Sequence, residues 1–110
     1  MTQEEFLAIL DATTGSLRSL TLSKGKEYAN DTDQLANFRR LGKQLGLPPE
    51  AVTLVFLTKH LDSIGSYARS LQGKGAYTSS EPIEGRIDDA ILYLILLKAI
   101  VTEREAGRLT

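Results

Sequence analysis

The run Ala90–Val101 (AILYLILLKAIV) constrains the fold more than any other segment of this sequence. Wound into a helix, it is apolar on nearly every side, because only Tyr93 and Lys98 interrupt it. The run is far shorter than the roughly 20 residues that a membrane span needs. Such a helix is typical of a core, and we expect the other short helices of a 110-residue chain not to cover it. The sequence therefore predicts that a homodimer or homotetramer completes the core.

The spacing of apolar residues elsewhere also indicates helices, and no segment shows the alternation that is typical of strands. Gly15 is expected to separate the first two helices, and Gly46 with Pro48-Pro49 to separate the next two. The predicted helices are residues 3–13, 16–30, 34–45, 50–72 and 82–105. The prediction is a single all-α domain over residues 1–110, a compact four- to five-helix bundle.

The composition excludes several classes of function. The chain has no cysteine, so it has no disulfide, thiolate zinc site or cysteine nucleophile. A net charge of −1 argues against binding DNA by general electrostatics, and the aromatic residues seldom neighbour basic ones, so a nucleic-acid partner is not expected. The N-terminus is acidic and no apolar stretch follows it, which predicts a cytoplasmic protein without a membrane partner.

Candidate functional residues are polar groups on otherwise apolar helix faces, because burying such groups without partners is costly. His60 lies between Phe56 and Ile64 on one apolar stripe, and Lys59 precedes it. The histidine is either a hydrogen-bonded core residue or a functional group. The lysine either reaches solvent or pairs with an anion, which the protein or a ligand would supply.

A second group opens the last helix. Glu84 and Asp88 are four residues apart and therefore share a helical face, where they could hold Mg²⁺ or Mn²⁺. Asp89 and Tyr93 have the same spacing. The helix dipole favours acidic residues in a first turn, but Asp88 and Asp89 lie beyond it, so the dipole does not account for them.

A third group lies earlier in the chain. Lys24, Glu27 and Tyr28 share one helical face, and Asn37 stands among apolar positions of the next predicted helix. Basic residues around Gly25 could contact a phosphate, although the chain has no Gly-x-x-x-x-Gly-Lys-Ser/Thr motif. The alternative is that this stretch is a solvated helix end.

Four short motifs together resemble a known group of proteins. They are Lys-Gly-Lys-Glu-Tyr at 24–28, Asn37-Phe38, Lys59-His60 and Arg-Ile-Asp-Asp-Ala-Ile-Leu-Tyr at 86–93. The pattern resembles small phage and prophage proteins of the nucleotide-modification-associated type. More distantly, it is similar to the all-α, MazG-like nucleoside-triphosphate pyrophosphatases, over roughly residues 20–101.

The resemblance to the MazG-like group implies a four-helix core, a dimer or tetramer, and Mg²⁺ bridging acidic side chains to nucleotide phosphates. The group's Glu-x-x-Asp motif is matched by Glu84 and Asp88 with one residue too many between them. Its Glu-Glu-x-x-Glu motif is absent, since the long helix has Lys59, His60 and Asp62 instead. This departure favours direct binding of an anion over metal-assisted hydrolysis.

Three hypotheses follow. In a phosphohydrolase, Glu27, Glu84 and Asp88 would hold the metal, Lys59 would contact phosphate, and His60 or Asp89 would be the base. In a non-catalytic protein that sequesters a nucleotide or cyclic nucleotide, the contacts would come from basic, aromatic and amide side chains, namely Lys24, Tyr28, Asn37, Lys59, Arg86 and Tyr93. In a structural helical oligomer, these polar residues would only pair with one another.

Overall fold

The computed structural model describes residues 1–28, 33–73, 75, 77 and 81–109, with side chains of the first helix described as far as residue 23. In this part of the chain the structure has four α-helices and no strand. They are α1 (Gln3–Tyr28), α2 (Ala36–Leu45), α3 (Pro49–Leu71) and α4 (Ile83–Glu105). The all-α prediction is confirmed.

Helix α1 runs without a break through Gly15, so the prediction of two helices, 3–13 and 16–30, is wrong. A glycine inside a helix costs about 1 kcal/mol relative to alanine. Ending the helix and starting another requires a second, unfavourable nucleation, which favours one continuous helix. At the start of α1 the Thr2 hydroxyl accepts a hydrogen bond from the Glu5 amide at 3.1 Å, a cap that the Thr-x-x-Glu spacing would have predicted.

Helix α2 begins two residues later than predicted and ends where predicted. The sequence Asn-Asp-Thr-Asp at 30–33 is typical of a turn and helix cap, and residues 30–32 of it lie outside the described residues. The Asp33 carboxylate accepts a hydrogen bond from the Leu35 amide at 3.0 Å just before the helix. Gly46 has a φ of 69°, and the Leu47 amide donates to the Gly42 carbonyl at 2.9 Å. This left-handed glycine and its hydrogen bond end the helix.

Helices α3 and α4 begin and end within one residue of their predicted bounds. Pro48 precedes α3, Pro49 opens it, and Pro82 precedes α4, as expected for residues that lack an amide donor. Glu50 at the start of α3 pairs with Arg104 at the end of α4, which shows that the two helices are antiparallel. Thr53 and Ile100 are the fully buried side chains of this hairpin.

The chain divides into two compact units, residues 1–37 and 38–110, and the second contains the α3–α4 hairpin. The prediction of a single domain stays a prediction. Of the large apolar run in α4, Ala90 and Ile100 are buried, whereas Leu94 and Ile95 are each about half exposed. The described chain therefore does not bury this helix on most sides. No described helix has the length and apolarity that a membrane crossing requires.

Candidate functional site

A group of polar side chains lies where the middle of α3 meets the first half of α4. We call it the α3–α4 polar cluster, and it consists of His60, Glu81, Arg86, Asp89 and Tyr93. Arg86, Asp89 and Tyr93 are three and four residues apart, so α4 presents them on one face. Their common face is the one packed against α3, as the contacts with His60 show.

The contacts within the cluster are close but long for hydrogen bonds. His60 Nδ1 is 3.8 Å from Asp89 Oδ2, and Arg86 Nε is 3.5 Å from Glu81 Oε2. The ring of His60 stacks on that of Tyr93, with centroids 5.3 Å apart and an interplanar angle of 27°. The cluster is thus held by charge attraction and ring stacking more than by short hydrogen bonds.

Two nitrogens of the cluster are buried and make no hydrogen bond within the described chain. They are His60 Nδ1 and Arg86 Nε. The Arg86 side chain is only 17% exposed, although it carries a full positive charge. Buried polar groups are normally hydrogen-bonded, so these two nitrogens mark a place where an acceptor from a ligand would be stabilising.

The surroundings of His60 favour its neutral form. Burial lowers the pKa of His60 below its usual 6.5, and the charges of Arg86 and Lys59 lower it further, while Asp89 and Glu81 oppose this shift. Burial and the Asp89 carboxylate raise the pKa of the Tyr93 phenol. Near pH 7 the cluster therefore contains a neutral imidazole and a neutral phenol beside the Arg86 guanidinium.

Aromatic rings from α2 and α3 pack against the cluster and hold it in place. The Phe56 and Tyr93 rings stack with centroids 6.0 Å apart, and Phe38 packs edge-on against both. Together they fix the Tyr93 ring on which His60 stacks. Phe38 and Phe56 are not among the predicted site residues, although Phe56 precedes His60 by one helical turn.

Tyr77, which follows α3, also packs onto that helix. Its hydroxyl lies 3.4 Å from the Ser63 hydroxyl, and its ring meets that of Tyr67 edge-on at 5.5 Å between centroids. Ser63 is three residues after His60, so Tyr77 extends the polar and aromatic surface beside the cluster. Tyr77 is not among the predicted site residues, because it lies between two helices, where helical periodicity gives no position.

The structure brings together four of the predicted site residues, His60, Arg86, Asp89 and Tyr93. Lys59 is exposed. It follows Phe56 by three residues but projects to solvent, the alternative that the sequence left open. Asn37 is partly buried and belongs to the unit of residues 1–37. The side chains of Lys24, Glu27 and Tyr28 lie outside the described part of the structure.

The predicted metal ligands do not form a complete site among the described residues. Glu84 is exposed, and Asp88 lies about 100° around α4 from Asp89, away from His60. Within the described ranges no three histidine, aspartate or glutamate side chains are grouped closely enough to hold a metal ion. Two carboxylates on one helical face are fewer than a dedicated Mg²⁺ site uses without a phosphate ligand.

Comparisons with protein-family models, with curated proteins and with solved structures find no match to this chain.

Proposed function

We propose that this chain binds a small phosphate-bearing anion of the nucleotide class at the α3–α4 polar cluster. The observation that carries the proposal is the Arg86 guanidinium, largely buried, with a buried Nε that has no hydrogen-bond partner within the described chain. A buried cation is costly unless hydrogen bonds and an anion compensate it. The ion pair with Glu81, at 3.5 Å, supplies only part of that compensation.

Phosphate suits a guanidinium for a geometric reason. The planar guanidinium presents its donors in a fork that matches two phosphate oxygens, and such charge-assisted hydrogen bonds are about twice as strong as neutral ones. His60 Nδ1 is the second buried nitrogen without a partner. The exposed Lys59, next to His60, adds positive charge at the rim.

The aromatic residues favour a nucleotide over inorganic phosphate. His60 and Tyr93 stack on each other at the cluster, Tyr67 lies two turns further along α3, and Tyr77 packs against Tyr67 from beyond the end of that helix. The Tyr67 and Tyr77 rings meet edge-on, so they do not cover each other face to face and could offer a planar base a stacking surface, an interaction worth about 1–3 kcal/mol. A nucleotide ligand also agrees with the resemblance to nucleotide-handling phage proteins and with the cytoplasmic location expected from the sequence.

The second candidate is the metal-dependent pyrophosphohydrolase, and one observation favours it. His60 is neutral near pH 7 and faces the Asp89 carboxylate at 3.8 Å, the arrangement in which a carboxylate orients a histidine that accepts a proton. Mg²⁺ or Mn²⁺, held by Glu84, Asp88 and Glu27, would supply charge neutralisation on the phosphates. The described carboxylates do not complete such a site, so binding is the stronger proposal.

Calorimetric titration with ATP, AMP, a cyclic dinucleotide and inorganic phosphate, each with and without Mn²⁺, tests the proposal. We expect a nucleotide to bind without metal, and Arg86→Gln to weaken it about 10-fold or more, as the loss of a charge-assisted hydrogen bond implies. Arg108→Gln is the matched control, since Arg108 is exposed beyond the end of α4. Equal affinities of the two variants would contradict the assignment of Arg86.

Chromatography of the same mixtures separates the two candidates. Intact nucleotide recovered from the denatured protein supports binding alone. Conversion of triphosphate to monophosphate, dependent on Mn²⁺ and lost in Asp88→Asn, supports the hydrolase. If no nucleotide binds and none is converted, both candidates fail and the structural hypothesis takes their place.

A further inference from the structure

The α3–α4 hairpin carries two exposed rows of apolar side chains. We call them the hairpin face. On each helix the three positions are seven residues apart, which keeps them on one side over two turns. The face consists of Leu54, Leu61 and Ala68 on α3 and Ile87, Leu94 and Val101 on α4, all of them exposed.

The two rows point to the same side of the hairpin, opposite α2. Phe56 contacts Phe38 of α2, and Leu61 lies roughly 140° around α3 from Phe56. On α4, Glu103 pairs with Arg39 of α2 at 3.5 Å, and Val101 lies roughly 160° around α4 from Glu103. The side that α2 covers and the side that carries the apolar rows are therefore different.

The composition of the hairpin face resembles the centre of an interface. Gly65 lies between Leu61 and Ala68 on α3, and an added Cβ there would meet only the end of the Arg69 side chain, so another backbone can approach closely once that flexible side chain moves aside. Arg69 and Lys98 are exposed at its edges. An apolar centre with a polar rim is the usual anatomy of a protein contact surface.

The dimensions of the hairpin face suit a second copy of the chain. Each of the two helices has 23 residues and is about 34 Å long, and two neighbouring helices are about 20 Å wide. Their common side therefore offers roughly 700 Å², against about 800 Å² per partner in a standard stable interface. Two hairpins stacked on these sides would also form a four-helix arrangement, in which each apolar row meets another.

We propose that the hairpin face is the contact surface through which two copies of this chain form a homodimer. Such a dimer does not depend on the ligand proposed above, because none of the six residues belongs to the α3–α4 polar cluster. In the dimer the exposed apolar side chains on this side of α4, Ile87, Leu94 and Val101, become buried.

Neighbouring residues of α4 provide a matched test. Leu94 and Ile95 are 51% and 50% exposed, but Leu94 belongs to the hairpin face and Ile95 points about 100° away from it. The mass of the protein is measured by light scattering and sedimentation between 1 and about 100 μM, and circular dichroism verifies folding. We expect a dimer for the natural chain and for Ile95→Glu, and a dissociation constant raised about 30-fold or more for Leu94→Glu.

A second pair on α3 repeats the test in case a substitution on α4 impairs folding. Leu61→Glu is expected to give monomers, whereas Val55→Glu, at an exposed position on the outer side of α3, is expected to leave the dimer intact. A natural chain that is monomeric at about 100 μM would overturn the proposal. Dimers that dissociate with Ile95→Glu or Val55→Glu, but not with the face variants, would overturn it as well, because another surface would then join the copies.

Discussion

At Gly42 even the addition of one methyl group should lower the stability of the fold. A Cβ built on it would lie 2.5 Å from the Leu47 carbonyl oxygen, where 3.4 Å is the lower end of ordinary contact. The obstacle is backbone rather than a mobile side chain. The Leu47 amide donates to the Gly42 carbonyl at 2.9 Å, and Pro48-Pro49 follow directly, so the carbonyl can move only if the α2–α3 connection moves with it.

We therefore expect Gly42→Ala to lower the free energy of unfolding. Forcing one extra carbon into a tight contact costs about 1–3 kcal/mol, and the better helix propensity of alanine returns up to about 1 kcal/mol. Because the obstacle is backbone at 2.5 Å, the cost lies in the upper part of that range and the net expectation is a loss of about 1–2 kcal/mol. The control is Gly15→Ala, inside α1, where an added Cβ meets nothing within 4 Å and only the gain in propensity remains.

Urea unfolding followed by circular dichroism measures both variants. The midpoint should fall for Gly42→Ala and should stay the same or rise for Gly15→Ala, with the slope of the transition unchanged. A Gly42→Ala variant as stable as the natural chain would refute the close packing of α2 on the connection to α3.

Two further predictions concern the hairpin. Because the chain has one histidine, an NMR titration measures the pKa of His60 directly. We expect this pKa to lie below 6.5. In Asp89→Asn it should be lower still, because the carboxylate that opposes the shift is removed. With a lowered pKa in the folded state, His60 binds a proton at a higher pH in the unfolded chain than in the folded chain. The free energy of unfolding should therefore decline as the pH falls from about 6.5 to the folded-state pKa. A His60 pKa above 6.5 in the folded chain would contradict this expectation. Ile100→Ala should lower the free energy of unfolding in urea by about 2–5 kcal/mol, because Ile100 is fully buried. Ile95→Ala should lower it much less, because Ile95 is half exposed. Equal losses would show that Ile100 is not at the centre of the hairpin.

The helices of the hairpin could be predicted closely because their ends are marked by residues with local effects. Pro49 and Pro82 lack an amide donor; Pro49 is the first residue of α3, and Pro82 directly precedes α4. Gly46 adopts the left-handed conformation that ends α2, just before the hairpin. The helix break predicted at Gly15 is wrong because a glycine is tolerated inside a helix when no turn signal accompanies it. Helix propensity describes one residue at a time, whereas the continuity of a helix through Gly15 depends on the free-energy cost of nucleating a second helix.

The candidate site was predicted in part for a similar reason. His60, Arg86, Asp89 and Tyr93 follow helical spacing, so the sequence could place them on the apolar faces that meet. Lys59 adjoins His60 in sequence but lies about 100° around the helix, and the sequence did not fix which of the two faces inward. The contact between Tyr77 and Ser63 depends on the path of the segment between α3 and α4, which periodicity does not determine.

The proposed binding of a phosphate-bearing nucleotide by Arg86 and His60 can be tested directly, because the chain has a single histidine. The imidazole resonances of His60 are followed by NMR while ATP, without metal, is added to the natural chain and to Arg86→Gln. Binding at the cluster predicts a saturable shift in the natural chain that is lost or strongly weakened in Arg86→Gln and retained in Arg108→Gln. Resonances that stay unchanged at millimolar ATP, or that shift equally in Arg86→Gln, would contradict the claim.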